Sequence, residues 1–199
     1  MPESHVSVFK PAPGGEPLRL GLAFPDVLAA AKAGADWAWD RLYQELAGPV
    51  NGYFASRGAG DPEDLTGETF LQVARNIRAF EGSEGSFRSW VFVIAHRRLI
   101  DSRRSAGRRP TMVHDAHIEP VGGDVEGEAM DRLVTAELVR GFQVLTDDQR
   151  EVLALRVIAN LSLEETAQVV GKNVGAVKQL QRRALEGIRK TLDVEQVTK

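Results

Sequence analysis

Hydrophobic residues recur at helical spacing along most of this chain. They return every three to four positions from Phe24 to Ser105 and again from Glu128 to Leu192, which is the period of a helix with one buried face. No stretch of useful length alternates as a strand would. The pattern predicts an all-α protein, with helices near residues 24–33, 36–54, 62–80 and 87–103 in its first part.

Two stretches without helical period divide the chain into domains. Residues 1–22 are rich in proline and glycine, and residues 107–127 combine proline, glycine and acidic side chains. We therefore predict two small helical domains joined by a flexible linker. Their expected bounds are 1–22 for a flexible tail, 23–106 for the first domain, 107–127 for an acidic linker and 128–193 for the second domain.

Local signals place the ends of several helices. In the first domain, Asp61 followed by Pro62 predicts a capped helix start, and the segment from Glu81 to Ser86 is expected to be a polar loop. The preceding helix is expected to turn Trp37 inward, together with Leu42, Leu46 and Val50. In the second domain, Thr146 with Gln149 predicts a capping box.

The segment from Leu161 to Leu192 has the pattern of a helix-turn-helix. Ser162 and Glu165 predict a capping box, Gly171 ends the first helix, and Asn173 can cap the second. An apolar stripe then leaves a cationic, amide-rich face away from the core, as a helix in the DNA major groove requires. A plain surface helix pair is the alternative, because lysine and arginine also suit the C-terminal end of a helix dipole.

Charge is distributed unevenly. The formal net charge is −3, yet residues 75–109 contain nine arginines and only three acids, whereas residues 111–131 contain six acids and neither lysine nor arginine. Contacts with phosphate respond to such local fields more than to the total charge. Two basic segments separated by an acidic one therefore favour a nucleic-acid partner.

Composition excludes several other classes of protein. With 43% hydrophobic residues the chain can form real cores, and it contains no cysteine for a disulfide or thiolate metal site. No apolar run approaches the length of a membrane span and no signal pattern opens the chain, so we expect a cytoplasmic protein without membrane insertion. No catalytic constellation is evident, so neither an enzyme nor a cofactor is predicted. His114 and His117 offer only two ligands, and no metal site is predicted there.

Two separated segments resemble one family. The runs DPEDLTGETFLQV at residues 61–73 and FRSWVFVIAHRRLIDSRR at residues 87–104 resemble region 2 of bacterial RNA polymerase sigma factors. The C-terminal half resembles region 4 of the same family, and the two-domain organisation is similar to the small extracytoplasmic-function (ECF) group. The resemblance extends from about Phe24 to Leu192. It implies a sigma factor that binds core polymerase and directs initiation at specific promoters.

The resemblance assigns roles to three sets of residues. In region 2 it implies a face that docks on a coiled coil of the largest polymerase subunit, formed by Asp61, Asp64, Glu68, Thr69 and Gln72. It implies recognition of the promoter −10 element, with a flipped base held by the loop from Phe80 to Phe87, by Ser83, Ser86, Arg88, Arg97, Arg98, Arg103 and Arg104. In region 4 it implies reading of the −35 element by Lys172, Asn173, Lys178, Gln179, Arg182 and Arg183.

Each of these sets also has a simpler interpretation. The acidic face could be a solvated helix whose early acids suit the dipole, and the arginines could be a solvated helix end. Trp90 is expected to pack in the core, Asp101 to pair with neighbouring arginines, and His96 to be a neutral spacer. Gly67 stands where the family often has glutamine.

The resemblance also implies partners: core RNA polymerase through its coiled coil and flap, promoter DNA, and an anti-sigma protein. The alternative function is a conventional helix-turn-helix regulator that acts without docking on the polymerase core. Such a regulator would have no need of the docking helix.

Overall fold

The computed structural model describes residues 20–106 and 144–197, and within these ranges the backbone is helical with no strand. The all-α prediction and the two-domain organisation are confirmed. The predicted linker at 107–127 and the two histidines within it lie outside the described residues, as does the tail up to residue 19. The described part contains seven α-helices: α1 (Phe24–Ala33), α2 (Asp36–Ser56), α3 (Pro62–Asn76), α4 (Glu84–Ala106), α5 (Asp147–Val157), α6 (Leu163–Val170) and α7 (Val174–Val197).

The first domain, α1 to α4, is built on the apolar stripe of α2. Ala38, Leu42, Leu46 and Val50 recur at intervals of four and are each at most 1% exposed. Trp37 is offset from this stripe by one residue, about 100° around the helix, and is 58% exposed. The expectation that Trp37 points inward is therefore wrong, because Ala38 occupies the inward position in the first turn.

An aromatic cluster closes the other side of this core. The ring of Phe87 lies 5.7 Å from that of Phe24, 5.2 Å from that of Phe80 and 5.6 Å from that of Trp90. The predicted packing role of Trp90 is confirmed, since the ring is half-buried against this core. Such ring pairs add to the stabilisation from burial alone.

The helices of the first domain begin where the capping residues predict, except that one helix begins earlier than expected. The Asp61 carboxylate accepts from the Asp64 backbone N–H at 2.9 Å, and Pro62 opens α3 as predicted. Helix α4 begins at Glu84, three residues before the predicted start. Ser83 is the reason, because its hydroxyl accepts from the Ser86 N–H at 3.3 Å and its carbonyl accepts from the Phe87 N–H.

The second domain, α5 to α7, follows its predicted local signals closely. Both capping boxes are present, at Thr146 with Gln149 and at Ser162 with Glu165. Gly171 ends α6 at φ +66°, a left-handed conformation that favours glycine. The Asn173 side chain accepts from the Ala176 N–H at 2.8 Å at the start of α7.

The two domains pack against each other. Leu155, Ala159, Leu161 and Val169 of the second domain are buried within the same apolar cluster as the core of the first. Helix α6 lies along α4, and α5 approaches α2. Within the described residues, no helix is both long enough and apolar enough to span a membrane.

Candidate nucleic-acid interface

The helix-turn-helix presents the predicted cationic face to solvent. Val177 and Ala184 of α7 are fully buried against the second domain, and Leu180 and Ile188 are half-buried. Because these four residues lie on one side of α7, the opposite side of the helix is exposed to solvent. All six residues predicted to read the −35 element are exposed: Lys172, Asn173, Lys178, Gln179, Arg182 and Arg183.

Contacts among these residues hold parts of the face in place. Arg182 donates to Gln179 Oε1 at 3.2 Å and lies 3.6 Å from Glu186. Lys172 Nζ lies 3.0 Å from Asp148 at the start of α5. These pairs are exposed and individually weak, so they orient the side chains without preventing a stronger phosphate contact.

The arginines of α4 are arranged differently. Arg97 and Arg104 are exposed, and Arg104 lies 3.9 Å from Asp101, the pairing predicted for that acid. Arg103 donates to the backbone carbonyl of Arg57 at 2.6 Å. This helix therefore contributes both open cations and cations that already hold the fold together.

Two members of the predicted −10 set are not available on the surface. Ser86 is 3% exposed and its hydroxyl lies 2.9 Å from that of Ser83. Arg88 is half-buried and donates to the carbonyl of Ala159 in the second domain at 2.9 Å. Burial lowers the pKa of Arg88, against the opposing charges of Glu84 and Glu45. Ser86 is thus held by its own loop and Arg88 by the second domain, and their assignment to the −10 element stays a prediction.

The predicted base-capturing loop forms one wall of a surface cavity of about 430 Å³. Ser83 and Glu84 line it on the loop side, and Phe24, Leu28 and Lys32 of α1 line it on the other. Glu84 is fixed there by an N–H from Leu20 at 3.1 Å. Burial raises the pKa of Glu84, although backbone donors and Arg88 oppose the shift. Sequence reasoning missed α1 as part of this site, because its residues lie about 50 positions away along the chain.

The acidic face of α3 is formed by four of the five predicted residues. Asp61 and Asp64 are exposed, and Glu68 and Gln72 are half-exposed. Thr69 is fully buried and its hydroxyl donates to the Leu65 carbonyl at 2.7 Å. The prediction that Thr69 is exposed on this face is wrong, because it lies next to Phe70 and one turn before Val73 on the buried side.

Leu71 was missed by sequence reasoning and lies on the open side of α3. Its side chain is 60% exposed, between Glu68 and Gln72 in the sequence. The sequence signal that could have identified Leu71 is an apolar residue that lies outside the apolar stripe of α3. Arg98 of α4 joins the same region, 3.6 Å from Glu68 and 3.4 Å from Gln72 Oε1. The acidic face and the arginine helix are therefore continuous at Arg98.

A buried polar cluster lies between the domains, and sequence reasoning missed it entirely. The Glu151 carboxylate of α5 accepts from the Tyr53 hydroxyl at 2.5 Å and lies 3.0 Å from His96 Nδ1 and 2.9 Å from Arg57 Nε. Burial would raise the pKa of Glu151, but the His96 hydrogen bond and the Arg57 charge lower it overall. Burial, reinforced by the Glu151 charge, raises the pKa of Tyr53 well above its usual value. His96 is thus a structural partner rather than a spacer.

Comparison with known proteins agrees with this architecture. Residues 40–109 match the model for Sigma-70 region 2, and residues 141–190 match that for Sigma-70, region 4. The chain is 33% identical over 171 residues to the ECF RNA polymerase sigma factor BldN of Streptomyces coelicolor, covering 84% of this chain and 65% of BldN. It is 29% identical over 175 residues to the ECF RNA polymerase sigma factor SigK of Mycobacterium tuberculosis, covering 85% of this chain and 94% of SigK.

Two solved structures share the fold. CnrH in complex with the cytosolic domain of CnrY has a TM-score of 0.61 at 23% identity, covering 85% of this chain and 96% of CnrH. The sigma factor RpoE in complex with the anti-sigma factor NepR from Bartonella quintana has a TM-score of 0.58 at 20% identity, covering 86% of this chain and 95% of RpoE. At these identities the likeness supports the fold alone.

The chain belongs to the sigma-70 family of RNA polymerase sigma factors, within its extracytoplasmic-function group. Proteins of this family are transcription initiation factors rather than enzymes.

Proposed function

We propose that this chain binds core RNA polymerase and directs initiation of transcription at specific promoters. One observation carries the proposal: regions 2 and 4 occur in order on a single chain, and each presents an open cationic surface. A protein that only bound duplex DNA would need the helix-turn-helix but not the acidic face of α3.

The second domain would read the −35 element through α7. Lys178, Gln179, Arg182 and Arg183 are exposed on one side of a helix whose other side is anchored in the core. Arginine and glutamine can make paired hydrogen bonds with base edges in the major groove, and lysine can contact phosphate. The same domain would contact the polymerase flap.

The first domain would recognise and melt the −10 element. Extruding a base costs a few kcal/mol, so a melting domain needs a pocket that favours the unstacked base. The cavity beside Ser83 has room for a nucleobase, and the exposed Arg97 and Arg104 can follow the strand's phosphates. Arg98 and Arg103 would contribute after exchanging their present partners. Arg88 would join only where the second domain has moved away, and Ser86 only where its own loop rearranges.

Helix α3 would dock on the coiled coil of the largest polymerase subunit. Asp61, Asp64 and Glu68 give its open side a negative charge suited to a basic partner. Leu71 supplies an exposed apolar contact beside these acids. An exposed leucine within a polar rim is the composition expected of a protein interface.

An anti-sigma protein is a further proposed partner. RpoE was co-crystallised with the anti-sigma factor NepR, and the structure of CnrH is that of a complex with the cytosolic domain of CnrY. Such a partner would occlude the polymerase-binding faces of both domains. Purification of the chain from its native cells under uninduced conditions tests this, and recovery of the chain without any partner would contradict it.

The alternative function is a helix-turn-helix regulator that binds promoters without the polymerase core. Mixing the purified chain with core polymerase and measuring co-migration separates the two. We expect association with core and only weak promoter binding by the chain alone. Tight binding of promoter duplex with no association with core would reject the sigma function. Glu68→Lys is a useful variant, since it reverses one charge on the α3 face, and Asp26→Lys on the exposed part of α1 is its matched control.

A further inference from the structure

Among the described residues, every side-chain partner found for Glu151 comes from the other domain. Tyr53 and Arg57 belong to α2 and His96 belongs to α4, whereas Glu151 is in α5. Glu151 is 6% exposed, and Tyr53 and Arg57 are 0% and 4% exposed. A carboxylate buried to this extent needs charged or hydrogen-bonding partners, and here only the closed packing of the domains supplies them.

Two further contacts fasten the same interface. Arg88 reaches across to the Ala159 carbonyl at 2.9 Å. Gly52 of α2 faces Ile158 so closely that a β-carbon at position 52 would lie 3.2 Å from Ile158 Cγ2. A larger residue at position 52 would push the domains apart, so the absence of a side chain there permits the close approach.

The closed packing conflicts with simultaneous binding of both promoter elements. A compact body of this size has a radius of gyration of roughly 14 Å, whereas elements centred at −10 and −35 are separated by roughly 85 Å of duplex axis. The closed packing also holds Arg88 against the second domain. Residues 107–143 are numerous enough to span the separation when extended, at about 3.3–3.6 Å per residue.

We propose that Glu151, held by Tyr53, His96 and Arg57, is a latch that keeps the free chain closed and must open before both promoter elements are bound. The need for opening rests on the proposed function, whereas the existence of the latch does not. The latch makes the free chain autoinhibited without any partner. Polymerase binding would open it by offering each domain a separate docking site.

A disulfide trap tests the latch directly, because the native chain contains no cysteine. Gly52→Cys with Ile158→Cys places two thiols across the interface, and replacing isoleucine removes the methyl group that would crowd the new side chain. A disulfide needs its β-carbons about 3.5–4.5 Å apart. A β-carbon at position 52 would lie 3.2 Å from Ile158 Cγ2, the methyl carbon bonded directly to the Ile158 β-carbon. We expect rapid oxidation of the double variant and none within chains carrying either cysteine alone.

Adding Glu151→Gln to this background should slow disulfide formation at least about tenfold, because loss of one buried partner strands the others. Glu164→Gln is the matched control, an exposed carboxylate in the same domain, and should leave the rate unchanged. Unchanged helical content by circular dichroism checks that both variants remain folded. No disulfide in the double variant, or an equal rate with Glu151→Gln, would overturn the latch.

Transcription with core polymerase tests the need for opening. The oxidised double variant should lose promoter-dependent transcript and regain it on reduction. An oxidised chain that transcribes as well as the reduced one contradicts the inference. If the double variant gives no transcript in either redox state, and the native cysteine-free chain gives none either, the proposed function is rejected instead. The rates of disulfide formation still decide whether the latch exists.

Discussion

The two cationic helices of this protein, α4 and α7, differ in what their basic side chains already contact. In α7, the candidate DNA-binding residues are exposed and their contacts are weak surface pairs. In α4, Arg88 is fixed to the second domain, Arg98 to α3 and Arg103 to the Arg57 carbonyl. The α7 surface is thus ready for a ligand in the closed chain. On α4, Arg97 and Arg104 are exposed, whereas Arg88, Arg98 and Arg103 would first have to leave their present partners. A basic sequence alone does not distinguish these two situations.

The largest expected effect of a substitution concerns the ready surface. Lys178→Ala combined with Arg182→Ala should weaken −35 binding by about 1–3 kcal/mol for each side chain that reads a base edge. The salt slope should fall by about one for each of the two side chains that neutralises a phosphate. Binding of the polymerase complex to promoter fragments at several salt concentrations measures both quantities. An unchanged affinity and slope would remove these residues from the interface.

A smaller effect is expected from a substitution in the buried polar cluster between the domains, where Glu151 is held by Tyr53, His96 and Arg57. Tyr53→Phe removes the 2.5 Å hydrogen bond to Glu151 while keeping the buried ring. We expect it to destabilise the closed packing by about 1–3 kcal/mol, since Glu151 loses one donor while buried. Hydrogen exchange at α5 and α6 measures the change. Tyr43→Phe is the control, because that hydroxyl belongs to a half-exposed ring that packs at a tilt of 59° against Phe70, away from Glu151. Equal protection in both variants would count against a role for the Tyr53 hydroxyl.

Closure should also depend on pH in a predictable direction. The pKa of Glu151 is lowered in the closed chain, so its contribution is full above its ordinary pKa and is lost as pH falls through the lower value. The pKa of Tyr53 is raised, so its contribution is full below its ordinary pKa of 10.0 and is lost as pH rises through the higher value. His96 and Arg57 face the carboxylate and favour its charged form, whereas Arg57 and Arg103 act on Tyr53 and oppose the rise of its pKa. Scattering measurements of size against pH should show expansion at both extremes. A Glu151→Gln chain should lack the acid transition, and a transition of equal size in that chain would contradict the assignment.

The smallest effect concerns Gly67, on the open side of α3. Helix α3 runs unbroken through this glycine, and a β-carbon there would meet nothing within 4 Å. Gly67→Ala should raise the free energy of unfolding by about 0.5–1 kcal/mol, because alanine loses less backbone entropy in a helix. Chemical denaturation measures this. If Gly67→Ala instead lowered the free energy of unfolding, position 67 would have a packing role that the structure does not show.

Local features of the fold were predictable from the sequence, and long-range ones were not. Ser162 with Glu165, Gly171 and Asn173 act within four residues of themselves, so their roles follow from short motifs. The burial of Thr69 and the exposure of Trp37 depend on which side of the helix faces the core. The apolar residues of one helix define that side only to within about one position in the sequence. Glu151 gave no signal, because its partners lie 55 to 98 residues away in sequence.

The candidate sites divide in the same way. The exposure of the proposed −35 set was predictable, because Lys178, Gln179, Arg182 and Arg183 lie on one side of α7 and Lys172 and Asn173 lie in the turn before it. Residue type was enough to propose the −10 set, but not to predict which of its side chains are exposed. Arg88, for example, is held by the carbonyl of Ala159, 71 residues later in the sequence. Both sets were proposed from the resemblance to a family, whereas periodicity alone would have left the arginines as a solvated helix end.

Transcription by core polymerase from a library of genomic fragments, with and without the full chain, tests the central claim most directly. We expect transcripts from a small set of fragments that share two conserved elements, only when the chain is present, and their loss with Lys178→Ala and Arg182→Ala combined. A fragment profile identical with and without the chain, under conditions where the core polymerase is active, would contradict assignment as a promoter-recognition subunit.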